Sequence, residues 1–250
     1  MATRPSPSSL VGPGLVDPGV ASRPFDGEPL SPPRFQVGGT LRPGSVYVPR
    51  SADQELPAAL DRGELCHVLA PRQIGKSSLR VRAQRALVAR GAACAAVDLT
   101  QIGSRDAAHN QGAEWYYDLC DSLARQLDLG SARVAWEAGV GRSPLGRFVR
   151  FLRDDVLRQH RGRVVIFIDE IDAVLALPRA LGDDFFAAVR SLYNARAEDP
   201  DCARLTFCLV GVALPGDLIA DETRTPFNVG RAIELCDFTR DEVALMAPGL

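Results

Sequence analysis

Residues 70–77, with the sequence APRQIGKS, have the composition and spacing of a loop that wraps phosphate groups. They match the pattern G-x-x-x-x-G-K-[ST], with Ala70 at the first glycine position. Backbone N–H groups of such a loop converge on the β-phosphate, and a helix N-terminus lies behind them. We expect Gly75 to permit this close approach, Lys76 to reach the β- and γ-phosphates, and the Ser77 hydroxyl to ligate magnesium.

The composition of the chain adds a second observation about Lys76. Of 29 basic residues, 28 are arginine, and Lys76 is the single lysine. A compact ammonium on a flexible stem fits inside a ring of backbone amides, where a planar guanidinium would collide with the main chain. The position of the single lysine therefore favours a phosphate-binding site over a chance match.

An acidic pair, Asp169-Glu170, directly follows the apolar run VVIFI at 164–168. Open α/β folds bind their ligands at the carboxyl ends of such strands. We expect Asp169 to hold magnesium through its hydration shell, and Glu170 to orient or deprotonate an attacking water. Asp172 is interpreted as a charge at a helix N-terminus or as a helper of these two carboxylates.

Other polar residues leave their roles open. An arginine that stabilises the transferred phosphoryl group is expected after the fourth strand or from a neighbouring subunit. Arg224 is the first choice and Arg231 the second, although with 28 arginines either could form a structural ion pair instead. Asp98 and Thr100 end a strand on the ligand side, and Thr206 lies on the strand where a polar sensor of the γ-phosphate is sought.

The apolar pattern alternates between strands and helices along the chain. It predicts strands at 65–69, 94–99, 164–168, 205–210 and 231–235. It predicts helices at about 76–90, 113–129 and 183–197, and further helices that begin near 143 and 239. This alternation favours a three-layer α/β fold with a mostly parallel five-stranded sheet. The aromatic residues at 115–117 have helical spacing and are interpreted as core rather than as a base-stacking surface.

The composition also divides the chain. Residues 1–33 are rich in Pro, Gly and Ser and are predicted to form a disordered leader. The nucleotide-binding core is expected at 34–237, and 238–250 is expected to begin a helical lid that is largely missing.

Charge and hydropathy exclude several classes of partner. The net charge of −2 does not favour nucleic acid as a partner without a local basic stripe. No apolar run approaches the roughly 20 residues that cross a bilayer, and the first residues lack the features of a secretion signal, so we expect a cytoplasmic protein without a membrane partner. The six scattered cysteines and three histidines support neither zinc ligation nor a disulfide framework.

Seven passages together resemble the AAA-like ATPases of bacterial signalling and conflict systems, of the STAND and ORC-like kind. They are FQVGGTL (35–41), YVPRSADQEL (47–56), APRQIGKSSLRVR (70–82), AAVDLTQIG (95–103), VVIFIDEID (164–172), LVGVALPGDLI (209–219) and TPFNVGRAIEL (225–235). The resemblance covers about 35–250 and implies an ATP- and Mg²⁺-dependent P-loop NTPase built into larger proteins beside sensor, repeat or effector modules.

The resemblance also implies which residues contact the nucleotide. Part of the adenine pocket is assigned to Tyr47, Val48 and Arg50. The phosphate-binding residues are Ala70, Pro71, Arg72, Gln73, Ile74, Gly75, Lys76, Ser77 and Ser78. From the motifs themselves, we expect Ser77 and Asp169 to ligate magnesium, and Lys76, Glu170 and, as first choice of arginine, Arg224 to act in catalysis.

The sequence is compatible with several functions. The first is an ATP-binding, slowly hydrolysing regulatory ATPase that acts on protein partners or effector modules, with a nucleotide-dependent homo-oligomer as an open alternative to a monomer. The second is a non-hydrolysing interaction module that nucleotide only supports. The third is a DNA-associated ATPase of the ORC-like or transposition type, and a small-molecule P-loop kinase is a distant fourth.

Overall fold

The computed structural model describes residues 39–40, 45–103, 112–219 and 224–244. Five strands form one sheet, in the order β2-β3-β4-β1-β5. The strands are β1 Cys66–Leu69, β2 Ala93–Asp98, β3 Val164–Asp169, β4 Leu205–Gly211 and β5 Arg231–Ala232. Every pair of neighbouring strands is parallel. The predicted five-stranded parallel sheet is thus confirmed, with a shorter last strand than the pattern indicated.

The strand order places β4 between β1 and β3, whose ends carry the predicted site residues. Leu69 at the end of β1 pairs with Gly211, and Asp98 pairs with Asp169 across β2 and β3. Because the strands are parallel, their carboxyl ends meet at one edge of the sheet. The loop after β1 and the acidic pair at the end of β3 therefore lie at the same edge, as predicted.

Helices cover the sheet on both faces. They are α1 Ser51–Asp61, α2 Lys76–Ala89, α3 Ala113–Gln126, α4 Arg133–Glu137, α5 Pro144–Arg150, α6 Leu157–Gln159, α7 Arg179–Ala195, α8 Pro215–Leu218 and α9 Arg240–Ala244. A π-helical turn, Phe151–Val156, joins α5 to α6, so the helix predicted from residue 143 runs to Gln159. No helix within the described ranges combines the length and the apolarity needed to cross a bilayer.

All six residues of β3 are buried, and its five apolar side chains alternate between two hydrophobic cores. Val164, Ile166 and Ile168 belong to the core shared with α3, α5 and α7. Val165 and Phe167 belong to the core shared with α1 and α2. Because a strand points successive side chains to opposite faces, an uninterrupted apolar run is what a doubly covered strand requires. The structure is the three-layer arrangement that the run indicated.

Three helices, α1, α4 and the four-residue α8, escaped the sequence pattern. Helix α1 contains Pro57, which breaks helical hydrogen bonding and hides a helix in a sequence scan. Helix α4 has only five residues, none of them buried, so it shows no apolar periodicity. By contrast, the capped start of α9 is confirmed, because the Thr239 N–H donates to Glu242 Oε2 at 2.7 Å and the Glu242 N–H donates to Thr239 Oγ1 at 3.3 Å.

The aromatic residues of α3 pack in the core. Trp115 and Tyr116 are 2% and 1% exposed, and the Trp115 ring contacts Phe185 of α7 edge-on. The third residue, Tyr117, is half-buried and lies edge-on to Trp136. The interpretation of this group as core rather than a base-stacking surface is therefore confirmed.

Replacing Tyr116 with phenylalanine should stabilise the protein. Within the described chain the buried Tyr116 hydroxyl has no hydrogen-bond partner, so its removal relieves an uncompensated desolvation and should raise the free energy of unfolding by about 1 kcal/mol. Urea denaturation of Tyr116→Phe measures the change. The half-buried Tyr193 provides the control, since Tyr193→Phe should change it by less than about 0.5 kcal/mol. Clear destabilisation by Tyr116→Phe would contradict the expectation.

Candidate functional site

The loop between β1 and α2 has a backbone that can surround an anion. Gln73 and Gly75 have positive φ angles of 65° and 100°. Gly75 is the N-cap of α2 and offers no side chain to its first turn. The N–H groups at the start of this 14-residue helix are therefore available to a ligand, and the helix dipole favours a negative one.

The backbone conformation at position 75 favours glycine, and the residue also lies close to Arg50. The φ of 100° at Gly75 is rarely adopted by residues with a Cβ. A Cβ built there would also lie 2.8 Å from Arg50 Nη2. The loop and the Arg50 side chain therefore lie in close contact at Gly75.

The Lys76 ammonium folds back into the loop. Its Nζ donates to the carbonyl oxygens of Ala70 and Pro71, both at 2.8 Å, and the residue is only 8% exposed. Burial lowers the pKa of Lys76, while the negative charges of Glu170, Asp172 and Asp169 act in the opposite direction. The single lysine is thus inside the loop and faces the acidic end of β3.

Arg50 packs against the same loop. The residue is 7% exposed, and its Nη1 donates to the Ile74 carbonyl at 2.8 Å. Val48 is buried, and the Tyr47 hydroxyl donates to Asp53 at 2.7 Å. Of the predicted adenine-contacting residues, Arg50 is beside the loop, and the contact of all three with a base stays a prediction.

The Asp169 carboxylate uses both of its oxygens. Oδ1 accepts from the Glu170 N–H at 3.1 Å, and Oδ2 accepts from Arg80 Nε at 2.9 Å. Asp169 lines a cavity of about 310 Å³ together with Ser77 and Glu170. A serine hydroxyl and a carboxylate are hard oxygen donors of the kind that Mg²⁺ prefers, so the residues present fit this ion.

Glu170 is held in a left-handed conformation, with a φ of 51°. Such a conformation is uncommon for a residue with a side chain and is concentrated at functional sites. Burial raises the pKa of Glu170, and the neighbouring charges of Asp169 and Asp172 raise it further. A carboxylate with a raised pKa accepts a proton more readily, which suits a general base.

Asp172 joins the ends of two strands. Its carboxylate accepts the Val212 N–H at 2.9 and 3.1 Å, and it also accepts the Ala213 N–H. Gly211 makes this approach possible, since a Cβ there would come within 2.4 Å of Ile171 Cγ2. Asp172 lies in the first turn of the short 3₁₀ helix Ile171–Ala176, as the first of its two predicted roles requires, and it also binds the backbone after β4. Its role as a helper of the two carboxylates stays a prediction.

Of the other predicted residues, the structure places one beside the site and two away from it. Asp98 lines the same cavity as Asp169, as expected for a strand end on the ligand side. Thr206 lies at the amino end of β4, away from the site, and donates to the Glu64 carbonyl at 3.0 Å. Arg231 forms ion pairs with Glu55 and Glu64.

Arg224 forms an ion pair with Asp184 of α7, with Nη2 and Oδ1 2.6 Å apart. The two side chains are 42% and 47% exposed. Neither this contact nor the lining of the cavity beside Asp169 connects Arg224 with the loop. Its role as the arginine that acts on the transferred phosphoryl group stays a prediction.

One functional candidate was missed by the sequence analysis. Arg80 lies one helical turn after Lys76 and reaches Asp169 across the interface between α2 and β3. Its spacing of four residues from Lys76 was the available signal, because such residues share a helix face. In a chain with 28 arginines this spacing alone did not distinguish it.

The model of one protein family, described as the AAA-like domain, matches residues 38–249. The chain belongs to the AAA-like domain family. A relative in Synechocystis, an uncharacterised WD repeat-containing protein, is 43% identical to this AAA-like domain over 222 residues. That match covers 86% of the chain but only 18% of the relative, so the chain spans less than a fifth of that protein.

Two solved structures resemble the AAA-like domain in fold. The Walker-type ATPase PABY2304 of Pyrococcus abyssi is 16% identical with a TM-score of 0.54, and the match covers 85% of this chain and 60% of that one. The ORC1 protein of Aeropyrum pernix, solved in complex with DNA, is 17% identical with a TM-score of 0.50, and the match covers 79% and 48%. The expected AAA-like P-loop fold is confirmed.

Replacing Asp172 with alanine should destabilise the protein. Two backbone N–H groups lose a charged acceptor, so the free energy of unfolding should fall by about 2–3 kcal/mol. Asp172→Asn keeps one acceptor oxygen and should cost less. Thermal or urea unfolding measures both changes, and the exposed Asp217 gives the control, because Asp217→Ala should cost no more than about 1 kcal/mol. Equal losses for Asp172→Ala and Asp217→Ala would contradict the assignment.

Proposed function

We propose that this AAA-like domain binds ATP with Mg²⁺ and hydrolyses it slowly, as a cytoplasmic regulatory switch. The observation that carries the proposal is the position of Lys76, whose ammonium is buried inside the loop after β1 and faces the carboxylates at the end of β3. A positive charge ringed by main chain, opposite an acidic edge, suits a metal-bound triphosphate between the two.

Different residues of the chain would bind the phosphates, hold the metal and act on the attacking water. The N-terminal N–H groups of α2 and the Lys76 ammonium, released from the carbonyls of Ala70 and Pro71, would bind the phosphate oxygens. Ser77 and Asp169 would hold the magnesium, which supplies positive charge to those oxygens when bound. Glu170, with its raised pKa, would orient an attacking water and accept its proton.

A regulatory role is proposed on the basis of context. The Synechocystis relative is several times longer and carries WD repeats in its name, so an ATPase domain of this family can be one part of a larger protein. Hydrolysis in such a protein would reset a conformational state that protein partners or effector modules detect. An arginine that acts on the phosphoryl group could come from Arg224 or from a second copy in a nucleotide-dependent homo-oligomer.

A DNA-associated function is the second candidate, because the ORC1 protein with a similar fold was solved with DNA. The net charge of −2 weighs against it, since phosphate neutralisation dominates DNA affinity. Binding to duplex DNA with a steep dependence on salt would favour it, and absence of binding at 50 mM salt would leave the regulatory switch.

Removing the Lys76 ammonium should weaken ATP binding. Because the ammonium sits in the phosphate-binding loop, Lys76→Ala should raise the Kd for ATP, with Mg²⁺ present, by at least about tenfold. Isothermal titration calorimetry measures this, with Arg90→Gln as the control because Arg90 lies at the far, exposed end of α2. Lys76 is also the only lysine, so ATP should protect a single side chain from a lysine-directed reagent. Equal ATP affinity in wild type and Lys76→Ala would refute the proposal.

Replacing Glu170 with glutamine should separate binding from hydrolysis. The glutamine keeps the shape of the side chain but cannot accept a proton, so ATP affinity should change by less than about threefold while turnover falls by about a hundredfold or more. Single-turnover conversion of ATP to ADP measures the difference. If wild type and Glu170→Gln both retain ATP unchanged, the domain is instead a non-hydrolysing module that nucleotide supports.

A further inference from the structure

The ion pair between Arg80 and Asp169 lies at the proposed magnesium position. Its nitrogen and oxygen are 2.9 Å apart, and the two side chains are only 17% and 12% exposed. A second nitrogen of the same guanidinium, Nη1, donates to Gln84 Oε1 at 3.0 Å. The guanidinium is thus anchored on α2 and directed at the carboxylate of Asp169, the last residue of β3.

This guanidinium lies among acidic groups. The cavity of about 310 Å³ that it lines is also lined by Asp98, Asp169 and Glu170. Asp172 adds a further carboxylate beside Glu170. Like charges in a partly buried site repel one another and repel an incoming polyanion. Arg80 is the cationic residue among those that line this cavity.

We propose that Arg80 is a positioning residue and the resident counterion of Asp169, which holds that carboxylate in place and offsets its charge when no magnesium is bound. Arg80 and magnesium then perform overlapping electrostatic tasks at the same carboxylate. The nucleotide can bind without magnesium because Arg80 already offsets part of the acidic edge. Magnesium therefore adds less to nucleotide affinity than it would if the edge were bare.

This inference rests on the proposed function and predicts a quantity that the function alone does not. The quantity is the ratio of the ATP dissociation constant in excess EDTA to that in excess Mg²⁺, which expresses the thermodynamic coupling between the two ligands. In Arg80→Gln the carboxylate of Asp169 loses its counterion, so the acidic groups repel magnesium-free ATP more strongly and attract magnesium more strongly. The ratio should therefore rise by about tenfold, with most of the change in the EDTA value.

The experiment titrates fluorescent ATP into the full chain under both conditions, with circular dichroism as the check of folding. Arg85→Gln is the matched control: Arg85 lies on the same helix, is exposed, and loses the same charge. Its ratio should stay within about twofold of wild type, because solvent screens exposed charges. Arg80→Lys keeps the charge and should also stay near the wild-type ratio.

Three outcomes would overturn the proposal. The first is that Arg80→Gln weakens binding equally with and without magnesium, which is what a purely structural role predicts. The second is a ratio that falls. The third is a tenfold rise in Arg80→Lys, a reading that remains decisive if Arg80→Gln does not fold. Failure of wild type to bind ATP in either condition would instead refute the proposed function, so the two failures are distinguishable.

Discussion

The parallel alignment of three adjacent strands is the constraint on which the site depends. Strand β4 pairs with β1 on one side and β3 on the other, so the loop that leads into Lys76 and the end of β3 at Asp169 are separated by the width of one strand. A shift of one residue in either pairing would reverse the faces of the side chains and move both ends relative to each other. The buried side chains of β3 prevent such a shift, because they fill a core on each face of the sheet.

Acidic and basic side chains face one another at this edge of the sheet. The carboxylates at the ends of β2 and β3 are opposed by two cations from the first turns of α2, Lys76 and Arg80. The ammonium is held by main-chain carbonyls, which it can exchange for other oxygens, whereas the guanidinium is held by a carboxylate and an amide. One helix thus presents an ammonium bonded to main-chain carbonyls and a guanidinium bonded to side chains.

The fold and much of the site could be predicted from the sequence because both rest on local patterns. An apolar run of five residues at 164–168 specifies a doubly covered strand, and the spacing around Gly75 and Lys76 specifies a loop and a helix start. Contacts between distant segments could not be predicted in this way. The bonds from Asp172 to the backbone after β4, and from Arg80 to Asp169, depend on which elements become neighbours. Pro57 hid a helix that tertiary packing stabilises in spite of it.

The Arg50 side chain connects the loop after β1 with the backbone that follows β5. The same Nη1 atom that donates to Ile74 in the loop also donates to the carbonyl of Cys236 at 3.2 Å, and the guanidinium stacks over the Phe238 ring at 4.8 Å. The Arg50 guanidinium therefore contacts both the loop and residues 236–238, so the loop and the chain that follows β5 share one anchoring side chain.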